Sequence, residues 1–253
     1  MNTAPNADPF LARARRLGLW GLIDHWAEIG PAERAKIVDW EENTRHNRSL
    51  QRRLGTSKIG RFKPLADFDW LWPRKIDREA VHDIMTTEFI RQAENVILIG
   101  PNGVGKTMIA KNIAHHAILQ GHQVRFCTAS ELLSELLTQD TVHARQRRLQ
   151  RYIRPDLLVI DELGYLAYDN RHADLLFEVV SARHLKRSTF ITTNLRFEDW
   201  KDVFPNAACV VSLVDRLTHR AEIITIDAQS YRLKEAQEHA ATKAATRAAR
   251  KAR

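Results

Sequence analysis

The chain has 253 residues, 44% of them hydrophobic and 28% charged, an ordinary globular balance with room for one sizeable domain and a smaller companion. No apolar run approaches the roughly 20 residues a membrane helix needs. The opening "MNTAPNADPF" lacks the basic start and apolar core of a secretory signal, and two cysteines, Cys127 and Cys209, are too few for a disulfide framework. Both cysteines sit in apolar surroundings that read as core, so a protein of the reducing cytoplasm is expected. The net charge of +8 points to a polyanionic partner, nucleic acid first.

In chain order, "FLARARRLGLWGLIDHW" carries Leu11, Leu19, Leu22, Ile23 and Trp26 at mostly helical spacing, and Gly30-Pro31 ends it. "AERAKIVDWEENTRHNRSLQRRL" reads as a second, longer helix with a thin apolar stripe. Residues 45–63, "RHNRSLQRRLGTSKIGRFK", contain no acidic side chain. That one-sign run makes Arg45, Arg48, Arg52, Arg53, Lys58, Arg61 and Lys63 candidates for contact with a phosphate backbone. "LADFDWLWP" then forms an aromatic-rich connection. These features set an expected N-terminal helical, basic domain over 1–71, for DNA or partner binding.

From Asp77 the pattern changes. "DREAVHDIMTTEFIRQ" reads as a helix, "NVILIG" as a buried strand, "TMIAKNIAHHAILQ" as a helix stopped by Gly121, and "QVRFCTA" as the next strand. Helix "SELLSELLTQ" and a second basic segment, "ARQRRLQRYIRP", follow; Arg145, Arg147, Arg148, Arg151 and Arg154 are its DNA candidates. Strand "LLVI", helix "ADLLFEVVSARHL", strand "TFITT", helix "CVVSLVDRLTHR" and strand "AEIITI" complete the core. Strands separated by helices imply an α/β fold with a parallel sheet covered on both faces. The expected core domain spans 72–232. The Ala-rich basic tail over 233–253 has helical composition but no apolar face, and is expected to be mobile.

Between "NVILI" and the next helix, Gly100, Pro101, Asn102, Gly103, Val104, Gly105, Lys106 and Thr107 fit G-x-x-x-x-G-K-[ST], with Met108 next in the helix. Glycines let backbone N–H groups curl around phosphate oxygens, and the helix aims its positive end at them. In such a loop the lysine reaches the β- and γ-phosphates and the hydroxyl ligates Mg²⁺. "LLVIDE" places Asp161 and Glu162 at the carboxyl end of a buried strand, where α/β sheets bind ligands. Asp161 is a candidate for holding Mg²⁺ through water, and Glu162 for polarising an attacking water. ATP and Mg²⁺ are therefore the expected cofactors, and hydrolysis the expected reaction. Without an N-K-x-D guanine motif a GTPase is disfavoured. A small-molecule kinase has no use for the added glutamate or the basic N-terminus.

Together, "ENVILIGPNGVGKTMIAKNIAHHAILQGHQVRFCTASELL", "RPDLLVIDELGYL", "FITTN" and "DRLTHRAEIITIDAQSYRLKE" closely resemble the IstB-like ATPases. These are helper proteins encoded beside the transposase of one group of bacterial insertion sequences, related to the helicase loader DnaC in the initiator branch of the AAA+ superfamily. The resemblance covers about 62–235. It implies a P-loop AAA+ core and an ATP-dependent regulator of DNA transposition. Such a regulator binds duplex DNA with little sequence preference, forms homo-oligomers on it, and recruits a cognate transposase. It further implies a first-sensor role for Asn194, an arginine finger at Arg216 and a second sensor at Arg232. A replicative helicase loader on the same core is the alternative. Asn102 stands where such loops often carry proline.

Overall fold

β-branched and leucine-rich runs such as "NVILI" and "LLVIDEL" favour extended backbone and bury both faces of a sheet. In the computed structural model, which describes residues 8–139, 141–165, 169–204 and 209–251, they do so. The strands are β1 (Asn95–Ile99), β2 (Val124–Thr128), β3 (Leu157–Leu163), β4 (Ser188–Thr193) and β5 (Ala221–Thr225). They form one five-stranded sheet, ordered β2-β3-β4-β1-β5, with every pair parallel. The helices are α1 (Pro9–Leu17), α2 (Trp20–Asp24), α3 (Pro31–Ser57), α4 (Arg78–Met85), α5 (Glu88–Arg91), α6 (Lys106–Leu119) and α7 (Ala129–Leu137). They continue as α8 (Val142–Ile153), α9 (Asn170–Arg183), α10 (Trp200–Val203), α11 (Cys209–Thr218) and α12 (Tyr231–Lys251).

Backbone contacts divide the chain into two units, Met1–Arg52 and Arg53–Arg253. In the first, Asp8 caps α1 by accepting from the Phe10 N–H at 2.9 Å, and Pro9 supplies the fixed φ of the first helical turn. The single helix expected over residues 10–26 is instead two, because Gly18 adopts φ +66 and closes α1. Within this unit Arg13 and Arg16 both donate to Glu42, at 2.6 and 2.9 Å. Their guanidiniums hold its carboxyl down to about 2.

In the second unit the period-two alternation of β1, β3 and β4 supplies two cores. Ile97, Ile99, Leu158, Ile160 and Ile191 join apolar side chains of α7, α8, α9 and α11 in one cluster. The intervening Val96, Leu98, Val159 and Phe190 are also fully buried, and α6 covers β2, β3 and β4. The helix expected over residues 77–92 is broken in two at Thr87, which has φ +64. A short helix not anticipated from sequence, α10, buries Trp200. Cys127 is in the core as expected, but Cys209 is only partly buried and its thiol points to Asp174 Oδ1 at 3.6 Å. It opens α11 beside the buried Val210 and packs against the edge of the core cluster.

Arg183, at the end of α9, is buried with 1% exposure. Its Nη1 donates to the carbonyls of Tyr152, Ile153 and Pro155 at 2.8, 2.9 and 2.8 Å. Nη2 donates to the Ser188 carbonyl and Nε to Thr189 Oγ1. One guanidinium thereby satisfies the loop before β3 and the start of β4, carbonyls that burial would otherwise leave orphaned. The amino ends of the two strands that flank the site are fixed by that knot.

Candidate nucleotide site

The site lies at the carboxyl ends of the strands. β1 ends at Ile99, the loop 100–105 follows, and α6 begins at Lys106 with no side-chain cap on its first N–H groups. An uncapped helix start presents orphan donors and a positive dipole end to any anion. Gly103 and Gly105 take φ +79 and +98, which L side chains rarely adopt. A Cβ on Gly105 would also lie 2.5 Å from the Phe68 ring, and one on Gly103 would collide with Ser230 Oγ. The spacing of these glycines is thus required by packing as well as by conformation.

Lys106 is 6% exposed, and Nζ donates to the carbonyls of Gly100 at 2.6 Å and Pro101 at 2.8 Å. Burial pushes its pKa down to about 8, opposed by the carboxylates of Asp161 and Glu162. Thr107 Oγ1 donates to Asp161 Oδ1 at 3.1 Å. Thr192 Oγ1, fully buried on β4, donates to the same Oδ1 and accepts the Glu162 N–H at 3.0 Å.

The register between β3 and β4 slips at this point. Ile160 pairs Ile191 but Leu163 pairs Thr193, so Asp161 and Glu162 together oppose Thr192. That is a β-bulge, the device by which strands re-aim a side chain beside an active site. Glu162 takes φ +61, at a cost of about 1–2 kcal/mol for a residue with a Cβ. The bond from its N–H to Thr192 offsets about 1 kcal/mol of this. Asp161 is consequently buried while Glu162 is exposed toward the loop.

A cavity of about 410 Å³ opens over Lys106, Thr107, Glu162 and Thr192, within the usual size of a small-molecule site. Its outer wall is Phe68, Asp69 and Trp72 on one side and Tyr231, Arg232 and Glu235 of α12 on the other. Lys234 joins the two by an ion pair to Asp69 at 3.1 Å and by lying 4.5 Å over the Trp72 ring. Trp72 Nε1 donates to the Gln229 carbonyl at 2.9 Å, and the Tyr231 N–H to the Gly103 carbonyl at 3.0 Å. Tyr165, in the turn after β3, donates its phenolic hydrogen to Asn102 Oδ1. The unusual Asn102 therefore has a partner in the turn that follows the acidic pair.

The structure brings together the loop residues Gly100 to Met108, Asp161, Glu162 and Arg232. Asn194 lies one residue beyond β4, outside the cavity wall, and its Oδ1 is buried without a hydrogen-bond partner. Arg216 is elsewhere. Its guanidinium stacks over Phe177 at 4.6 Å, and its carbonyl accepts from Asn95 Nδ2 at 3.4 Å. Asn95 opens β1 and the loop closes it, so roughly 15 Å of strand separates them. Sequence reasoning missed Thr192, Tyr165, Phe68 and Trp72. The density of aromatics in "FDWLWP" was the available signal for the last two.

Of the basic candidates, Arg48, Arg52, Lys58 and Arg61 are exposed. Arg45 pairs with Glu41 at 2.6 Å, Lys63 with Glu235 at 3.1 Å, and Arg53 donates to the Ile118 carbonyl at 3.2 Å. The second segment is helix α8. Arg148 and Arg151 both donate to Glu135, at 2.5 and 3.1 Å. Arg145 and Arg147 are exposed, and Arg154 donates to Gln150 Oε1 at 3.3 Å.

A hydroxyl and a carboxylate in contact are hard oxygen donors of the kind Mg²⁺ takes alongside phosphate oxygens and water. Thr107 and Asp161 therefore fit that ion. A five-stranded parallel sheet of this order, with a phosphate loop after β1, between β4 and β5, and an acidic pair at the end of β3, defines an ATP-binding protein of the AAA+ class. The family model for IstB-like ATP binding protein matches residues 31–239, and the chain belongs to that family. It is 35% identical over 195 residues to a protein described as ATP-binding in insertion sequence IS21 of Pseudomonas aeruginosa, covering 77% of this chain and 74% of that one. The fold is similar to the crystal structure of DnaI, with TM-score 0.55 at 20% identity over 68% of this chain and 92% of that one. It is also similar to the replication initiator DnaA bound to AMPPCP and single-stranded DNA, with TM-score 0.51 at 16% identity over 64% and 52%. Among the described residues no helix is long and apolar enough to cross a membrane.

Proposed function

We propose that this chain is an ATP-hydrolysing, DNA-binding helper of transposition, which assembles on duplex DNA and engages its transposase there. The observation that carries the reading is the convergence of Lys106, Thr107 and Glu162 on one cavity, with Asp161 buried behind it and bonded to Thr107. Loop N–H groups and Lys106 bind the triphosphate, while Thr107 and Asp161 would hold Mg²⁺, which would supply charge neutralisation at the phosphates. Glu162, re-aimed by the bulge, polarises the attacking water. Arg232, on the cavity wall, contributes positive charge near the γ-phosphate. The aromatic strap of Phe68 and Trp72 covers the base.

Two features support assembly on DNA. Arg216 is too far from its own loop to act there, so its finger role belongs to a neighbouring copy. Arg48, Arg52, Lys58 and Arg61 are exposed and offer positive charge to phosphates, a sequence-tolerant mode of contact. The family's association with insertion sequences favours a transposase as partner over a replicative helicase.

Sedimentation of the protein with duplex DNA tests the reading. A slowly hydrolysed ATP analogue should convert it to DNA-bound oligomers, and Lys106→Ala should not assemble. Material that stays monomeric and free of duplex with the analogue present would refute it. Pull-down of a helicase in place of a transposase would favour the loader alternative.

A further inference from the structure

Thr192 has no assigned part in ATP chemistry, yet among the described residues its hydroxyl is hydrogen-bonded to both members of the acidic pair. Its hydroxyl carries a single hydrogen, which goes to Asp161 Oδ1. Its lone pair receives the Glu162 N–H at 3.0 Å. The same residue stands opposite the bulge, where β3 spends two residues against one of β4. Thr107 also donates to Asp161, onto the same oxygen at 3.1 Å. Both described bonds thus fall on Oδ1, which fixes the carboxylate plane and aims Oδ2 away from them.

We propose that Thr192 is a positioning residue that sets Asp161 and Glu162 as one unit, orienting the first for Mg²⁺ and the second for water. A hydroxyl is required because the position must donate to one neighbour and accept from the other. Valine has the same shape and strand preference but can do neither. A serine keeps both functions. Partners that orient a metal-binding carboxylate are worth about 10–100-fold in metal affinity or activity, which sets the size of the expected effect. The inference rests on the reading that this cavity takes ATP with Mg²⁺.

The test uses full-length Thr192→Val and Thr192→Ser and a fluorescent ATP analogue titrated with and without Mg²⁺. With EDTA, both variants should bind the analogue within about twofold of wild type, since the loop and Lys106 are untouched. The Mg²⁺ concentration for half-maximal binding should rise by about tenfold in Thr192→Val and return to within about threefold of wild type in Thr192→Ser. Turnover should follow the same order. A valine variant matching wild type in its Mg²⁺ requirement, or a serine variant as impaired as valine, would overturn the proposal. Wild type that binds with Mg²⁺ but never releases phosphate would sink the hydrolysis reading alone, and the Mg²⁺ comparison would still judge Thr192. Wild type showing no Mg²⁺-dependent binding would overturn both.

Discussion

Thr107 Oγ1 donates to Asp161 Oδ1 across 3.1 Å, joining the start of α6 to the end of β3 over 54 positions of sequence. That single contact brings a phosphate loop and an acidic strand end to one place. The hydroxyl and the carboxylate are then ready to share a hard cation without rearrangement, and preorganisation of this kind lowers the cost of binding.

In the proposed function Lys106 is the cation that meets the phosphates, so Lys106→Ala should weaken ATP binding by about 100-fold, the worth of one or two charge-assisted hydrogen bonds. Its proton makes the binding pH-dependent. Burial brings its pKa down to about 8 from 10.5, and a phosphate bound beside it would raise it. Affinity should hold below pH 8 and fall above it, by up to about tenfold per pH unit. Folding has the opposite sign. The unfolded chain binds more protons between those values, so the burial cost is full below pH 8 and is relieved as pH rises toward 10.5. Titration of ATP by calorimetry from pH 7 to 9.5 checks this, and Lys106→Ala should lose the slope.

Arg216 rests on Phe177 at the far end of the sheet from the loop. Arg216→Ala should therefore leave ATP affinity unchanged and cut hydrolysis by about 10³-fold. Mixing Arg216→Ala with Lys106→Ala subunits should restore measurable phosphate release, because each supplies what the other lacks. No recovery in such mixtures would argue against a shared site.

Arg183→Met should destabilise the second unit by about 3–5 kcal/mol, since it strips partners from buried carbonyls. At about 2–4 °C per kcal/mol for a chain of this size, the Tm should drop by roughly 10 °C. Thermal denaturation followed by circular dichroism measures it. Unchanged Tm would show that water replaces the guanidinium.

DNA affinity should depend on exposed charge rather than on arginine count. Removing Arg48 together with Arg61 should weaken duplex binding and reduce the salt slope by about 0.9 per lost phosphate contact. Removing Arg148 together with Arg151 should matter less, because both already donate to Glu135. Fluorescence anisotropy at two salt concentrations separates the cases.

Strand order aside, the core was legible because buried parallel strands are short continuous apolar runs and the phosphate loop has a fixed local pattern. What sequence concealed was relational. Nothing in "LLVIDE" announces that β3 slips register against β4, for a bulge depends on the partner strand. Thr192 read as one polar residue among several in "TFITTN" until its hydroxyl met Asp161. Helix ends failed where a single residue, Gly18 or Thr87, takes positive φ, a choice set by the next element's packing. The charge runs marked α3 and α8 correctly as basic. The loss of Arg148 and Arg151 to Glu135 is a contact between separate helices, which spacing does not reveal.

Phosphate release from ATP by wild type and Glu162→Gln, with and without duplex DNA, tests the central claim most directly. Wild type should release phosphate, and duplex should accelerate it. Glu162→Gln should bind ATP as tightly while turning over about 10²–10³-fold more slowly, the usual worth of a positioned base. A glutamine variant that hydrolyses ATP at the wild-type rate would contradict the account.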